Sequence, residues 1–410
     1  VQLLADQKLT DPFLIIKNVS QKASRILGDY LTGSELVEIR VHPSRALVTA
    51  ALILHGVLAQ KGYIVETTPS LSTANANHFG RNQVVVELSL TNRTAPKTAV
   101  LSIKAQGKTE KYNLPNNKAT QTLFFFMSEE VSIPTDELRV LASATLLQHD
   151  AVPQDPELIA MLKGLGVQNC SSRFLSFTYA KNFSVTDSLV STLKPFLPGI
   201  SLENPEAIAS ELRSRGIDPA SSIHDLDEQK LKELISYVGE KIALHTKLPV
   251  QLQKVFQSIH AYETVSKREY DLRMLAGVLD VLVEVNPLAI LASVVHNDLR
   301  IMEAAFNMYA PVLRESVKHS LQSRSIIASG TKVLLVEGAD LPLPLSYIKD
   351  NLVTHGVLQQ DEVILVRRDS KLMANCFLLA QSSRIQLKPA KRREEWCVYE
   401  VESEELSRFL

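Results

Sequence analysis

Leu193-Lys-Pro-Phe-Leu-Pro-Gly-Ile-Ser-Leu-Glu-Asn-Pro-Glu-Ala-Ile-Ala-Ser-Glu-Leu-Arg-Ser-Arg-Gly-Ile217 is the stretch that decides how this chain is read. Pro195 and Pro198 each fix φ and remove a backbone donor, and Gly199 follows directly, so residues 195–199 make a rigid turn. After the turn, apolar residues return at helical spacing across Asn204–Arg215, and Gly216-Ile217 closes the unit.

Outward toward the C-terminus the periodicity stays helical. It predicts helices over Asp227–Ala243, Val250–Tyr262, Glu269–Val285 and Leu299–Gln322, then a linker at Ser323–Thr331. The most apolar run, Val278 to Val295, is broken by Asp280, Glu284, Asn286 and Pro287, and reads as two core helices, not a membrane span. Beyond the linker, Lys332–Glu337, Glu362–Arg368, Lys371–Ala380 and Trp396–Val401 have β character, with a helix near Pro344–His355.

Outward toward the N-terminus, helices are expected near Asp187–Lys194, Asp155–Lys163, Thr135–His149 and Lys118–Glu130. Before them Val37–His42 is a short β-type run, and Pro43-Ser44 opens a long apolar helix, Arg45 to Gln60, with Ser44 as N-cap and Gly62 as C-cap. Strands follow at Tyr63–Thr67, Gln83–Leu90 and Lys97–Ala105, and an amphipathic helix precedes the whole set at Ile15–Leu31. This order describes an α/β domain around a largely parallel sheet covered on both faces. Three regions result: residues 1–200, a helical middle at 201–325, and a smaller α/β domain at 326–410.

The 410 residues carry a net charge of −1, with 45% apolar and 22% charged side chains, which excludes disorder and bulk electrostatic coating of nucleic acid. Only 15 glycines are present, about half the usual share of roughly 7%. Cys170, Cys376 and Cys397 are far apart with no C-x-x-C spacing, so neither a disulfide framework nor a structural zinc site is expected, and a reducing cytosol is the natural compartment.

Few motifs carry chemistry. Gly164-Leu-Gly166 and Gly330-Thr-Lys332 do not complete a phosphate-cradling loop, no H-E-x-x-H zinc spacing occurs, and no G-x-S-x-G elbow exists. His296-Asn-Asp298 reads as a helix cap supplied by Asp298, and His149-Asp150 and His224-Asp225 read as structural pairs. His42, at a strand end before a helix, is placed where parallel sheets often bind ligands, with a semi-buried structural histidine as the plainer reading. The one notable charge cluster is basic. Arg384, Lys388, Lys391, Arg392 and Arg393 follow one another with no acid between them, near Arg367-Arg368, and are candidates for weak contact with a phosphate backbone, although Glu394-Glu395 dilutes them.

The strand ending in Val41-His42, with Pro43-Ser44-Arg45-Ala46-Leu47 and the apolar helix after it, resembles the opening of the DHH phosphoesterase superfamily, whose active members read His-x-Asp-Ala-Asp-Gly there. The Leu193–Ile217 stretch resembles one found in archaeal RecJ-like members, where a Pro-x-x-Pro-Gly turn leads into a helix that ends in Gly-Ile. The Leu141–Asp150 segment resembles the family's Ala-rich helix ending in aspartate. The implied fold is a DHH-type parallel-sheet N-terminal domain, a helical connecting region, and a truncated DHH-associated-like C-terminal α/β domain.

The departures from that family imply a lost active site. Active members hold two Mn²⁺ or Mg²⁺ ions on aspartates and an Asp-His-His triplet, and hard divalent ions need several oxygen ligands. Here His42 remains, but Ser44 and Ala46 stand where the paired aspartates should be. Glu87 replaces a further aspartate, Val100–Ala105 takes the place of the triplet with neither acid nor histidine, and only Asp150 survives. The C-terminal Gly-Gly-Gly-x-His loop is replaced by Lys388-Pro-Ala-Lys-Arg-Arg-Glu-Glu-Trp396. The resemblance therefore implies no catalysis, no metal and no other cofactor. It implies the branch of the family that serves as a scaffold in the replicative helicase of an archaeal cell, with the GINS complex and the MCM ring as partners, single-stranded DNA as a further contact, and no membrane. An active single-strand exonuclease with an eccentric metal site, and a DNA-binding repair accessory protein, are the alternatives.

Overall fold

The computed structural model describes residues 21–23, 25, 27, 29–31, 36–41, 45–69, 83–90, 98–105, 108–115, 135–147, 156–167, 169–173, 183–194, 196–245, 258–265, 268–328, 331–337, 343–359, 362–368, 371–375, 391–392 and 398–402. The chain divides into two compact units, Val1–Leu146 and Leu147–Leu410.

In the first unit β1 (Leu36–Val41) leads into α1 (Arg45–Gln60), followed by β2 (Ile64–Pro69), β3 (Gln83–Leu90), β4 (Thr98–Ala105), β5 (Lys108–Pro115) and α2 (Asp136–Leu146). The sheet order is β2-β1-β3-β4-β5. Its heart is parallel, since β1 pairs in parallel with both β2 and β3, while β4 and β5 extend it by antiparallel pairing. Gly62, at φ +88°, ends α1 in a left-handed turn in which Tyr63 N–H bonds to Leu58 O at 3.1 Å and Gly62 N–H to Ala59 O at 3.0 Å. The expected C-cap is therefore present, whereas Ser44 lies outside the described residues. So does the whole of the helix expected at Lys118–Glu130.

β1 alternates half-buried and buried residues. Val37, Ile39 and Val41 join Val84, Val86 and Leu88 of β3 and Leu101 and Ile103 of β4 in the core, against which α1 packs. On β1 the alternate residues Glu38 and Arg40 are charged and half-buried, but on β3 and β4 the opposite face is buried too, with Val85, Glu87, Val100 and Ser102. β5 was not expected as a strand. Of its residues 108–113 only Tyr112 is buried, so it lacks the apolar alternation by which strands are recognised.

The second unit opens with α3 (Pro156–Gly164), β6 (Asn169–Arg173), α4 (Val185–Val190), α5 (Pro205–Ser214) and α6 (Glu228–His245). The helix expected over Asn204–Arg215 is present as α5, and Asn204 caps it, its Oδ1 accepting from Glu206 N at 2.9 Å, with Pro205 in the first turn. Ile208, Leu212, Leu234, Tyr237, Val238 and Ile242 pack with Val185 and Leu197 into one apolar core.

Next come β7 (Ser258–Val265), β8 (Arg268–Asp271), α7 (Leu272–Val285), α8 (Pro287–Val295) and α9 (Arg300–Gln322). The helix expected over Val250–Tyr262 is corrected here. From Ser258 onward the segment is a strand, antiparallel to both β6 and β8, and the β-branched and aromatic residues of Ile-His-Ala-Tyr-Glu-Thr-Val favour that outcome. The expected helix from Glu269 begins instead at Leu272, because Asp271 Oδ1 caps it by accepting from Arg273 N at 2.8 Å and Met274 N at 3.0 Å. The apolar run is two helices, bent by 119° at Asn286, with Leu275, Val278, Leu279, Leu282 and Ile290 buried. Among the described residues no single helix is long and apolar enough to cross a membrane.

The expected linker at Ser323–Thr331 is also corrected, since β9 (Arg324–Ala328) pairs antiparallel with β10 (Thr331–Glu337), Ile326 opposite Val333. Its polar flanks concealed a strand of only five residues. The remaining elements are α10 (Leu345–Thr354), β11 (Val363–Arg368), β12 (Lys371–Asn375), β13 (Lys391–Arg392) and β14 (Val398–Glu402). They form a sheet of order β13-β14-β12-β11-β10-β9 in which only β10 and β11 run parallel, among the described residues.

Candidate functional site

Of the residues singled out in the sequence, His42, Ser44, Asp150, Arg384, Lys388 and Arg393 lie outside the described residues. Ala46 belongs to the first turn of α1. Arg367 and Arg368 end β11, and Lys391 and Arg392 form β13, so both basic pairs belong to one sheet with β12 and β14 between them. Acids interleave in register. Lys391 stands opposite Glu400, and Lys371, the partner of Arg368, stands opposite Glu402.

Glu87, which the sequence resemblance set at the position of a metal-binding aspartate, is buried and accepts from Lys104 Nζ at 2.7 Å. Lys104 lies on β4, within the stretch Val100–Ala105 that the sequence resemblance set in the place of Asp-His-His. The chain's own ammonium thus compensates the carboxylate, which is the opposite of what a divalent cation requires from its surroundings. Beside it on β1, Glu38 holds Arg40 by two bonds of 2.6 and 2.8 Å, and this contact keeps the guanidinium even more firmly protonated than usual. Further along, Thr145 of α2 donates its hydroxyl hydrogen to Leu141 O at 2.8 Å and is hydrogen-bonded at 2.8 Å to the hydroxyl of Thr49 of α1, an uncharged and fully buried contact. No three His, Cys, Asp or Glu side chains converge as a metal-binding group among the described residues. The described donors do not fit a dinuclear metal centre.

Among the described residues a buried polar constellation surrounds the turn at 193–199. Tyr347 Oη donates to Leu193 O at 2.7 Å, Phe196 N–H donates to Asn351 Oδ1 at 2.9 Å, and His355 Nε2 meets Phe196 O at 2.7 Å. Arg273 Nη2 donates to Lys194 O at 2.6 Å, and the Lys194 ammonium forms a buried ion pair with Asp280. Ser201 Oγ accepts from Leu197 N at 2.8 Å and donates to Thr192 O. Two glycines permit the close approach: a Cβ on Gly277 would lie 2.6 Å from Leu193 Cβ, and one on Gly199 would collide with the His245 ring. The carbonyls of Leu193 and Lys194 and both backbone polar groups of Phe196 are thus satisfied by side chains of α7, of α10 and of its C-cap His355.

Sequence reasoning missed these partners. Tyr347 and Asn351 on α10 and His355 at its C-cap recur every four residues, a polar stripe buried among Ile348 and Leu352. That spacing was visible, but its meaning was not, because polar residues on a buried face make sense only once their acceptors are known.

His355 supplies a pH test. Because Nε2 faces a carbonyl it must carry the hydrogen, leaving Nδ1 bare, buried and without a hydrogen-bond partner among the described residues. Burial lowers its pKa below the ordinary 6.5, against a smaller opposing effect of the Phe196 bond. The folded state therefore keeps a neutral ring while the unfolded chain takes up a proton. Stability is full above the unfolded value of 6.5 and declines as pH falls from there toward the folded value. Denaturant unfolding between pH 8 and 5 should show this decline, and His355→Gln should flatten it.

The chain matches no family model and no curated protein by sequence. By fold it is similar to a solved protein along nearly its whole length: the crystal structure of CDC45 from Entamoeba histolytica, at a TM-score of 0.51 and 7% identity, covering 96% of this chain and 97% of that one. The α/β architecture is therefore of the kind CDC45 adopts. At this identity the likeness is one of fold.

Proposed function

We propose that this chain is a non-catalytic DNA-replication factor that binds the GINS complex, stabilises the MCM helicase and contacts single-stranded DNA. The observation that carries this reading is the full-length likeness to CDC45 in fold, taken with the sequence resemblance to the replication branch of the DHH superfamily. The Glu87–Lys104 pair supports the absence of catalysis. On this reading residues 1–200 are the degenerate phosphoesterase domain, 201–325 connect, and 326–410 form the truncated DHH-associated domain. Arg367, Arg368, Arg384, Lys388, Lys391, Arg392 and Arg393 make weak, salt-sensitive contacts with DNA backbone.

One preparation tests both halves of the proposal. The chain should co-purify with GINS and MCM and leave single-stranded DNA intact in Mn²⁺. Manganese-dependent degradation that disappears in Asp150→Asn would establish the nuclease instead. Salt-sensitive DNA binding without GINS or MCM would mark an accessory protein.

A further inference from the structure

α9 buries one face in the second unit and presents the other to water. Met302, Phe306, Leu313 and Val317 are buried, whereas Arg300, Ala304, Asn307, Met308, Pro311, Glu315 and Lys318 are exposed, at the three- and four-residue spacing of one helical stripe. A solvated helix ordinarily carries charged and polar side chains on its outer face. Here the middle of the stripe, from Ala304 to Pro311, holds no charge. Met308 at its centre is 85% exposed, more than any other large apolar side chain among the described residues. Ala304 and Pro311 on either side of it have no side-chain rotamer freedom to lose on contact.

The order of residues along the stripe says what fits it. About the midpoint between Asn307 and Met308, Ala304 mirrors Pro311, and Arg300 mirrors Glu315. Asp298, just before the helix, stands one residue from the mirror position of Lys318. The charges therefore oppose one another across the midpoint, acid to base at both ends. A second α9 laid antiparallel meets opposite charges at each end, while a parallel one sets Arg300 on Arg300 and Glu315 on Glu315 at a cost. Within one copy these charges already have local partners: Arg300 Nη2 bonds Asp298 at 2.6 Å, and Arg314 Nε bonds Glu315 at 3.2 Å. In the antiparallel pair the two local pairs and Lys318 join into one cluster of two acids and three cations at each end. Exposed ion pairs contribute little energy, so the clusters select direction and register, and the apolar middle supplies the attraction.

We propose that the exposed stripe of α9 binds a second copy of this chain, α9 against α9 antiparallel, with a two-fold axis between Asn307 and Met308. A two-fold contact uses the same surface on both partners, so one self-complementary stripe is sufficient. Ala304 of each copy faces Pro311 of the other, and these small side chains let the helix axes come close on either side of the two methionines. A single helix pair buries less than the roughly 1,200 Å² of a standard stable interface, so the dimer is weak and depends on concentration. The uncharged middle does not suit a nucleic-acid backbone, which needs a row of cations along its track. The contact is read from α9 alone and stands whether or not the replication reading holds.

Sedimentation velocity of the whole chain, from about 5 to 500 μM, tests this over the range of a weak interface. The weight-average coefficient should rise with concentration from that of a monomer toward that of a dimer. Met308→Glu sets two carboxylates beside the axis and should weaken association at least about tenfold. Arg300→Glu should weaken it several-fold, and the charge exchange Arg300→Glu/Glu315→Arg should restore it. That exchange sets like charges beside Asp298 and Arg314 within each copy, so recovery can come only from pairing across the axis. All three positions are exposed, and an unchanged thermal unfolding curve verifies that each variant is folded. A monomer at every concentration would overturn the proposal, as would a dimer indifferent to Met308→Glu. Failure of the exchange to restore association would overturn the antiparallel pairing, and with it the choice of a second copy as occupant. Failure to recover GINS or MCM, by contrast, bears only on the replication reading.

Discussion

Gly277→Ala should destabilise the second unit by about 1–3 kcal/mol, the usual cost of overpacking a core. Helix propensity points the other way. Gly277 lies inside α7, where alanine is intrinsically better by about 1 kcal/mol. The steric effect should win because the atom in the way is Leu193 Cβ, 2.6 Å from the new methyl, with Leu193 Cδ1 at 3.2 Å. A Cβ cannot swing aside as a side-chain tip can, so either the helix or the turn must move. The turn is fixed on its other sides by Tyr347, Asn351 and Arg273. Thermal unfolding reads the result as a midpoint several degrees lower, at roughly 2–4 °C per kcal/mol for a domain of this size. An unchanged or raised midpoint would show that the contact yields and that propensity decides.

The larger effect belongs to the ion pair beneath the same turn. Lys194→Met should cost about 3–5 kcal/mol, because it leaves the Asp280 carboxylate buried without its cation. The side chains are 5% and 14% exposed, so water screens neither of them well. The double variant Lys194→Met/Asp280→Leu should recover most of the loss, since two apolar side chains remove both desolvation penalties together. Urea unfolding of the two single variants and the double variant separates the outcomes. Equal losses in Lys194→Met and the double variant would mean that the pair itself, not the stranded charge, holds the turn.

The parts of this architecture legible in the sequence were those written in local chemistry. Asn204-Pro205 starts a helix, Gly62 ends one, and Asn286-Pro287 divides one, and each does so through groups within a few residues of itself. Asp298 likewise accepts from Arg300 N at 3.0 Å at the start of α9, and its carboxyl is held down to about 2 by the hydrogen bond from the Arg300 side chain. The capping role read for the His296-Asn-Asp298 triplet is thus fulfilled.

What remained hidden was written in distant pairing. β5, β7 and β9 gain their identity from neighbouring strands, and two of them read as a linker or a helix when taken alone. The candidate site divides in the same way. Glu87 and Lys104 were both noted or passed on their own strands, but their union depends on the antiparallel register of β3 and β4.

The bonds from α10 to the turn also impose a schedule on the growing chain. Phe196 and Asn351 are separated by 155 residues, which a ribosome takes about 10–30 s to add at typical rates of 5–20 residues per second. Throughout that interval the turn has been made but its Phe196 backbone groups have only water as partner, and Lys194 meets Asp280 well before Asn351 arrives. The middle helices therefore wait in an unfinished state for the last quarter of the protein. A stop codon ahead of Tyr347 would strand them there, so that loss of a short C-terminal piece removes much more of the fold than the piece itself.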